Sequence, residues 1–297
     1  MRTILKWTGR VLAGVVALVL VAAGAVYAMS ERGMARHFDV APHPLTVTAD
    51  SATIEQGRRL VQARGCIDCH GETLTGKTII DDPAVGRLAG PNLTAGGRGA
   101  ALGDEDWERA VRHGVRSDGS ALIVMPAQEY NTLTDADLAS IVAYARSLPA
   151  DREPSAGVRV GPLARVLYLA GQIGLVPAEQ IDHARPHLAS LTPAPTVEFG
   201  RYLGAGCVGC HGEGYSGGKI PGTPPDWKPA GNITPTGIGS WSEADFIRAL
   251  RTAVRPDGSM IDSTLMPIRA TKMMTDVELQ ALYRFLKTLP PRETGTR

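Results

Sequence analysis

The chain has 297 residues and a formal net charge of +1, which excludes a broad cationic surface for nucleic acid and a solvating acidic tail. Aromatic residues are only 5% of the total, so two modest domains of this combined length need some other large apolar body in their cores. Thirty-four glycines and 21 prolines predict short helices separated by loops.

Arg2, Lys6 and Arg10 precede an uncharged stretch from Val11 to Met29, 19 residues in all. At about 1.5 Å per residue this run is just long enough to cross a bilayer. A cleaved leader usually has a shorter apolar core of about 7–15 residues, although Val26-Tyr27-Ala28 could serve as a cleavage site. The length favours a retained transmembrane anchor over residues 1–30. The basic residues ahead of it keep the N-terminus in the cytoplasm and place the rest outside. Residues 31–50 read as a tether, with His37 and His43 solvated.

A first domain is expected over residues 51–150. Thr53 and Gln56 form a capping box for a helix that ends near Gly65. Cys66-Ile67-Asp68-Cys69-His70 follows, and Cys207-Val208-Gly209-Cys210-His211 repeats it. Cys-x-x-Cys-His is the attachment signature of c-type haem. The two thiols form thioethers with the vinyl groups, and the adjacent His supplies an axial nitrogen to iron. All four cysteines of the chain lie in these two motifs. A thiol-redox motif needs no following His, zinc fingers place their His well downstream, and disulfides predict no such block. Two covalent haems c are therefore expected, on Cys66, Cys69, Cys207 and Cys210, with His70 and His211 on iron.

Residues 71–103 are rich in Gly and Pro and read as a loop at the haem edge. Asp104 should cap a helix Glu105–His113 that Gly114 stops, and a turn at residues 117–120 leads to Met125-Pro126. Thr134 and Asp137 cap a last helix, Asp135–Ser147, with Leu138, Ile141, Val142 and Ala145 on its buried face.

Residues 151–195 form an insert with its own apolar pattern. Pro162 can start a helix with Leu163, Val166, Leu167 and Ala170 on one face. The insert is expected to pack across both haem domains, with partner docking as the other use of its apolar face. His183 and His187 share a face if this part is helical, and both read as ordinary surface histidines.

The second domain, residues 196–297, repeats the first. Glu198-Phe-Gly-Arg-Tyr-Leu matches Glu55-Gln-Gly-Arg-Arg-Leu, and Asn232-Ile-Thr matches Asn92-Leu-Thr. Ser242 and Asp245 cap a helix through Val254, and Thr275 and Glu278 cap a final helix ending at Leu289-Pro290. The haem cysteines are 141 residues apart, and so are the two Met-Pro pairs, so both halves should share one fold.

Met125 is the only methionine between residues 50 and 150, and Met266 holds the equivalent place, ahead of Met260, Met273 and Met274. These two are the expected sixth ligands, and sulfur ligation raises the reduction potential. Arg112, Arg116, Arg251 and Arg255 recur at matching positions, as do Trp107 and Trp241. They are candidate contacts to propionates and haem rings. Two propionate-bearing haems would make the real charge balance more negative.

Pro91-Asn-Leu-Thr, Asn232-Ile-Thr-Pro-Thr-Gly-Ile-Gly-Ser-Trp, the Val-Arg-Pro-Asp-Gly and Met-Pro stretches and the closing Leu-Pro resemble class I cytochrome c domains. They are similar in particular to cytochrome subunits of membrane-associated bacterial dehydrogenases. The resemblance covers residues 50–150 and 195–290, and departs from those subunits in haem number, two against a common three, and in the insert. It implies an all-α fold: a transmembrane helix followed by two class I cytochrome c-like domains. It also implies an electron relay at the extracytoplasmic membrane face, between a dehydrogenase and quinone, an oxidase or a small carrier, with no catalysis of its own. The alternatives are a dihaem subunit of a terminal oxidase and a dihaem peroxidase-like enzyme. The peroxidase reading needs an open iron site, against which the two Met-Pro repeats argue.

Overall fold

The computed structural model describes residues 2–41 and 43–297; Met1 and Pro42, which fall in the expected anchor and tether, and the side chains of Arg2 and Leu5 lie outside the described residues. The helices are α1 (Arg2–Met34), α2 (Ser51–Ala63), α3 (Cys66–His70), α4 (Asp104–Glu108), α5 (Ala127–Tyr130), α6 (Asp135–Ser147) and α7 (Pro162–Leu169). They continue with α8 (Val197–Gly204), α9 (Val208–His211), α10 (Pro235–Ile238), α11 (Glu243–Thr252), α12 (Ile268–Thr271) and α13 (Asp276–Lys287). Helix predominates, but the fold is not all-α. Strands β1 (Lys77–Asp82), β2 (Gly86–Gly90) and β3 (Arg159–Val160) form an antiparallel sheet in the order β1-β2-β3. The hairpin occupies part of the expected 71–103 loop, and the insert supplies the third strand.

Helix α1 runs past the uncharged stretch. Its segment Lys6–Met34 has a mean hydropathy of 2.5 and no buried residue in its most apolar window. Helix α7 braces its lower end. Arg165 donates to Ser30 Oγ at 2.8 Å and to Glu31 at 2.9 Å, and its guanidinium lies 4.5 Å from the Tyr27 ring centre. The expected tether is not free. Val40 and Leu45 are buried, Leu45 in the core of the first domain. His43 is half-buried, with Nε2 3.1 Å from Asp135 Oδ1, rather than solvated.

Each domain is built on one helix pair, α2 on α6 and α8 on α13. Both pairs cross at a glycine. A Cβ on Gly57 would collide with the Ser140 carbonyl, and one on Gly200 with the Ala281 carbonyl. The repeat Glu-x-Gly-Arg-x-Leu thus records a close helix crossing that only glycine permits. The first core joins Leu60, Val61, Leu133, Leu138, Ile141 and Val142 to Ile67 of α3, and the second joins Leu250, Leu279, Leu282, Phe285 and Leu286.

The caps at Thr134, Ser242 and Thr275 hold as expected, each side-chain oxygen accepting from the N–H three residues on. Helices α11 and α13 end a little earlier than expected, at Thr252 and Lys287. Helix α2 differs: Asp50, not Thr53, is its N-cap and accepts from Ala52 and Thr53. Helix α4 starts one residue early, with Gly103 as cap, and widens into a π-helical turn over Arg109–His113 before Gly114 closes it in the left-handed conformation. The wider turn was not legible because its sequence reads as ordinary amphipathic helix.

The insert wraps the first domain. The Leu175 carbonyl accepts from Val124, and those of Leu188 and Ala189 accept from Asp135 and Ala136 at the start of α6. Residues 181–196 contain no helix, so His183 and His187 do not share a helical face; they turn toward His113 instead. The two domains meet through an ion pair between Arg59 and Glu278 at 2.7 Å and through Tyr202, whose hydroxyl donates to Asp137.

Candidate haem sites

The first Cys-x-x-Cys-His motif lies on the wall of an apolar pocket in domain one. The lining joins Cys66, Cys69 and His70 to Met125 and Trp107, with Val61, Leu74, Leu93, Val111 and Ile141 among the rest. These elements converge because α3 follows α2 through Gly65 in the left-handed conformation, which turns the chain back under the α2–α6 pair. Met125 joins the lining from the loop that ends at α5. Val124 before it has φ +70°, and its N–H is held by the Leu175 carbonyl of the insert at 2.9 Å.

His70 is oriented by one bond, Nδ1 to the Pro91 carbonyl at 2.9 Å. A carbonyl only accepts, so Nδ1 carries the proton and Nε2 keeps its lone pair. In domain two, His211 Nδ1 lies 2.7 Å from the Gly231 carbonyl, which fixes the same tautomer. The next residues explain the repeated Asn-x-Thr. Asn92 Oδ1 accepts from Thr94 N and Oγ1 at 2.9 and 2.8 Å, and Asn232 Oδ1 accepts from Thr234 N and Oγ1 at 2.9 and 2.7 Å. Each asparagine fixes the turn whose preceding carbonyl orients the histidine. Sequence reading saw the repeat but not this role, because the carbonyl belongs to a backbone that carries no sequence mark.

Burial pushes the Cys66 thiol up to about 12 and the Cys207 thiol up to about 11, and raises Cys69 and Cys210 as well. A thiol-redox motif needs the opposite shift, toward thiolate at neutral pH. The wall fits a tetrapyrrole held by thioethers. It is apolar, it carries two paired thiols and a fixed imidazole, and Trp107 Nε1 is buried there without a hydrogen-bond partner. In domain two, Cys207, Val208, Trp241, Met266 and Met274 pack against one core cluster. Met260 is 63% exposed, and Met266 is the methionine that follows the repeat.

The four repeated arginines turn to protein acceptors. Arg112 donates to the Leu133 carbonyl at 2.7 Å and to Asp135 at 2.8 Å; Arg251 donates to the Lys272 carbonyl at 2.5 Å and to Asp276 at 2.9 Å. Arg116 binds Ser120 and the Ala121 carbonyl, and Arg255 binds Ser259 and the Met260 carbonyl. Each pair clasps the start of the last helix and the loop leading to Met-Pro. The repetition is accounted for by this clasp.

The motifs of the two domains face a common boundary. Glu129 of α5 reaches the Gly209 position of α9, and its carboxyl is raised by burial. Arg64, just after α2, influences both Cys66 and Cys207 and lies 5.0 Å from the Tyr202 ring centre.

The family model for cytochrome c oxidase, cbb3-type, subunit III matches residues 52–144, and the model for cytochrome c matches residues 200–290. The fructose dehydrogenase cytochrome subunit of Gluconobacter japonicus is 28% identical over 85% of this chain and 56% of its own length. The cytochrome c subunit of the quinone alcohol dehydrogenase of Gluconacetobacter polyoxogenes is 27% identical over 83% of this chain and 58% of its own. The gluconate 2-dehydrogenase cytochrome c subunit of Pantoea cypripedii is 25% identical over 83% and 62%. The chain thus spans little more than half the length of these relatives. It carries two cytochrome c domains and is a homologue of the cytochrome c subunits of fructose, alcohol and gluconate dehydrogenases.

Proposed function

We propose that the chain is a membrane-anchored dihaem cytochrome that relays electrons from a dehydrogenase to the respiratory chain. Its parts are an anchor over 1–30, a connecting segment over 31–50, haem domains over 51–150 and 196–297, and the insert over 151–195 between them. Cys66 and Cys69 hold one haem c and Cys207 and Cys210 the other, with His70 and Met125, and His211 and Met266, as axial pairs. Haem c supplies an iron that accepts and releases one electron. The protein's part is to fix both faces of that iron. The Pro91 and Gly231 carbonyls set each imidazole, and the clasped loops set each methionine. Met125 and Met266 would each give an iron a thioether ligand and leave no open position for oxygen or peroxide, which favours a carrier over a peroxidase.

The observation that carries the reading is the doubled set of a Cys-x-x-Cys-His helix, a carbonyl-locked His and a following Met-Pro loop, facing one domain boundary. The relatives' names supply the donor class, a sugar, alcohol or sugar-acid dehydrogenase. Arg2, Lys6 and Arg10, in the first part of α1 ahead of its uncharged run, support an extracytoplasmic position for the haem domains. The cbb3-type match of domain one supports a second reading, a dihaem subunit of a terminal oxidase. Affinity purification of the full chain from solubilised membranes separates the two. The relay reading requires a dehydrogenase in the complex and reduction of the haems on adding its substrate. Copurification of a haem–copper oxidase instead would favour the second reading, and ready cyanide binding would favour the peroxidase.

A further inference from the structure

Away from both haem motifs, domain one, the connecting segment and the insert bring five titratable side chains together: Glu108, His113, His183, His187 and His43, beside Arg112 and Asp135. Glu108 is completely buried, and the side chains of His113 and His187 are 3% and 5% exposed. A carboxylate so buried needs close partners, because its desolvation is costly. Yet Oε1 has only distant ones: Arg112 Nη1 at 3.4 Å, His113 Nε2 at 3.4 Å and His187 Nε2 at 3.9 Å. Oε2 has none.

The hydrogen-bond chain behind His113 sharpens the point. His183 Nε2 lies 3.1 Å from the Ala178 carbonyl and must donate to it. Neutral His183 therefore accepts at Nδ1, which lies 2.9 Å from His113 Nδ1. His113 is then the donor there, and its Nε2 presents a lone pair to the Glu108 carboxylate. Two electron-rich atoms facing each other in a buried site call for a cation between them. A single proton would serve one nitrogen and one oxygen. Here a second imidazole nitrogen, from His187, points at the same oxygen, and all three ligand atoms lie within 4.8 Å of one another.

We propose that Glu108, His113 and His187 form a binding site for a divalent transition-metal ion of borderline softness, with zinc as the fitting case. Two imidazoles and a carboxylate are a common zinc donor set, and they leave a fourth position for water. His183 orients His113 from behind through Nδ1, as outer histidines and carbonyls do at such sites. Glu108 and Asp135 together outweigh the charge of Arg112, so the surroundings accept a cation. The ion ties the insert, through His187, to the helix that lines the first haem cavity through Trp107 and Val111. The expected role is to lock the insert onto domain one.

The test uses the full-length holoprotein in detergent, stripped with a chelator and dialysed against zinc. Elemental analysis should find about one zinc per chain beside the haem iron, and zinc-edge X-ray absorption should show nitrogen and oxygen ligands, two of them imidazole. His187→Ala, on a loop without helix or strand, should abolish the bound zinc while circular dichroism is unchanged. Glu108→Gln should do the same. His183→Ala, one step removed, should weaken binding about 10–100-fold without changing the ligand count. Zinc retained equally by wild type, His187→Ala and Glu108→Gln would overturn the site, as would a stripped wild type that takes up none.

Discussion

Asn92 offers a direct perturbation of the turn that orients His70. The residue is 2% exposed and makes three bonds: two accepted from Thr94 and one donated to the Asp151 carbonyl at 2.7 Å. Asn92→Ala removes all three and strands buried partners. At about 1 kcal/mol per bond plus about 1–3 kcal/mol for the desolvation of one stranded group, the loss is about 4–6 kcal/mol. Asn232 makes the matching bonds, including one to the Arg292 carbonyl at 2.8 Å, but it is only half-buried. Water can replace part of what Asn232→Ala removes, so that change should cost about 1–2 kcal/mol. Guanidinium unfolding followed by circular dichroism measures both. Hydrogen exchange adds a local readout: amides of residues 66–71 should exchange faster in Asn92→Ala and those of 207–212 in Asn232→Ala. Equal losses in the two variants, or unchanged exchange around Cys66–His70, would refute the claim that the asparagine turn holds the histidine.

Three further outcomes follow from the geometry. Gly57→Ala or Gly200→Ala drives a methyl into a facing carbonyl, so each should lower stability by about 1–3 kcal/mol or more in thermal unfolding; a neutral result would mean the helices can part without cost. Arg59→Ala leaves Glu278, whose side chain is 7% exposed, without its partner across the domain boundary. The expected cost is about 2–3 kcal/mol, below the fully buried case because Arg59 is partly exposed, with faster hydrogen exchange at 272–278; unchanged exchange there would sink it. Met125→His and Met266→His should each remove about half of the near-infrared sulfur-to-iron band and lower one haem potential; a band lost only on changing Met260 would reassign the second domain.

The motifs and caps were legible because each is a local rule. Thr134, Ser242 and Thr275 cap through bonds three residues long, and Cys-x-x-Cys-His fits within one short helix. The 141-residue repeat implied one fold for both halves. What escaped depends on long-range pairing. The β1–β2 hairpin is largely exposed on β1 and carries no strong alternation, and β3 comes from the insert some 70 residues later. His43 seemed solvated because its partner Asp135 lies 92 residues away. The protein acceptors of the repeated arginines were not legible, because repetition marks a shared role but not its target. The His113–His183–His187 cluster was hidden for a similar reason: His113 lies 70 or more residues before the other two, and no spacing rule links them.

The central claim is that each repeat holds its own covalent haem. The pyridine haemochrome assay on the denatured, quantified full chain tests it most directly. The account predicts two haems per chain, resistant to acid–acetone extraction, one of them lost in Cys66→Ala with Cys69→Ala and the other in Cys207→Ala with Cys210→Ala. A single haem in the unaltered chain, or haem that the solvent extracts, would contradict it.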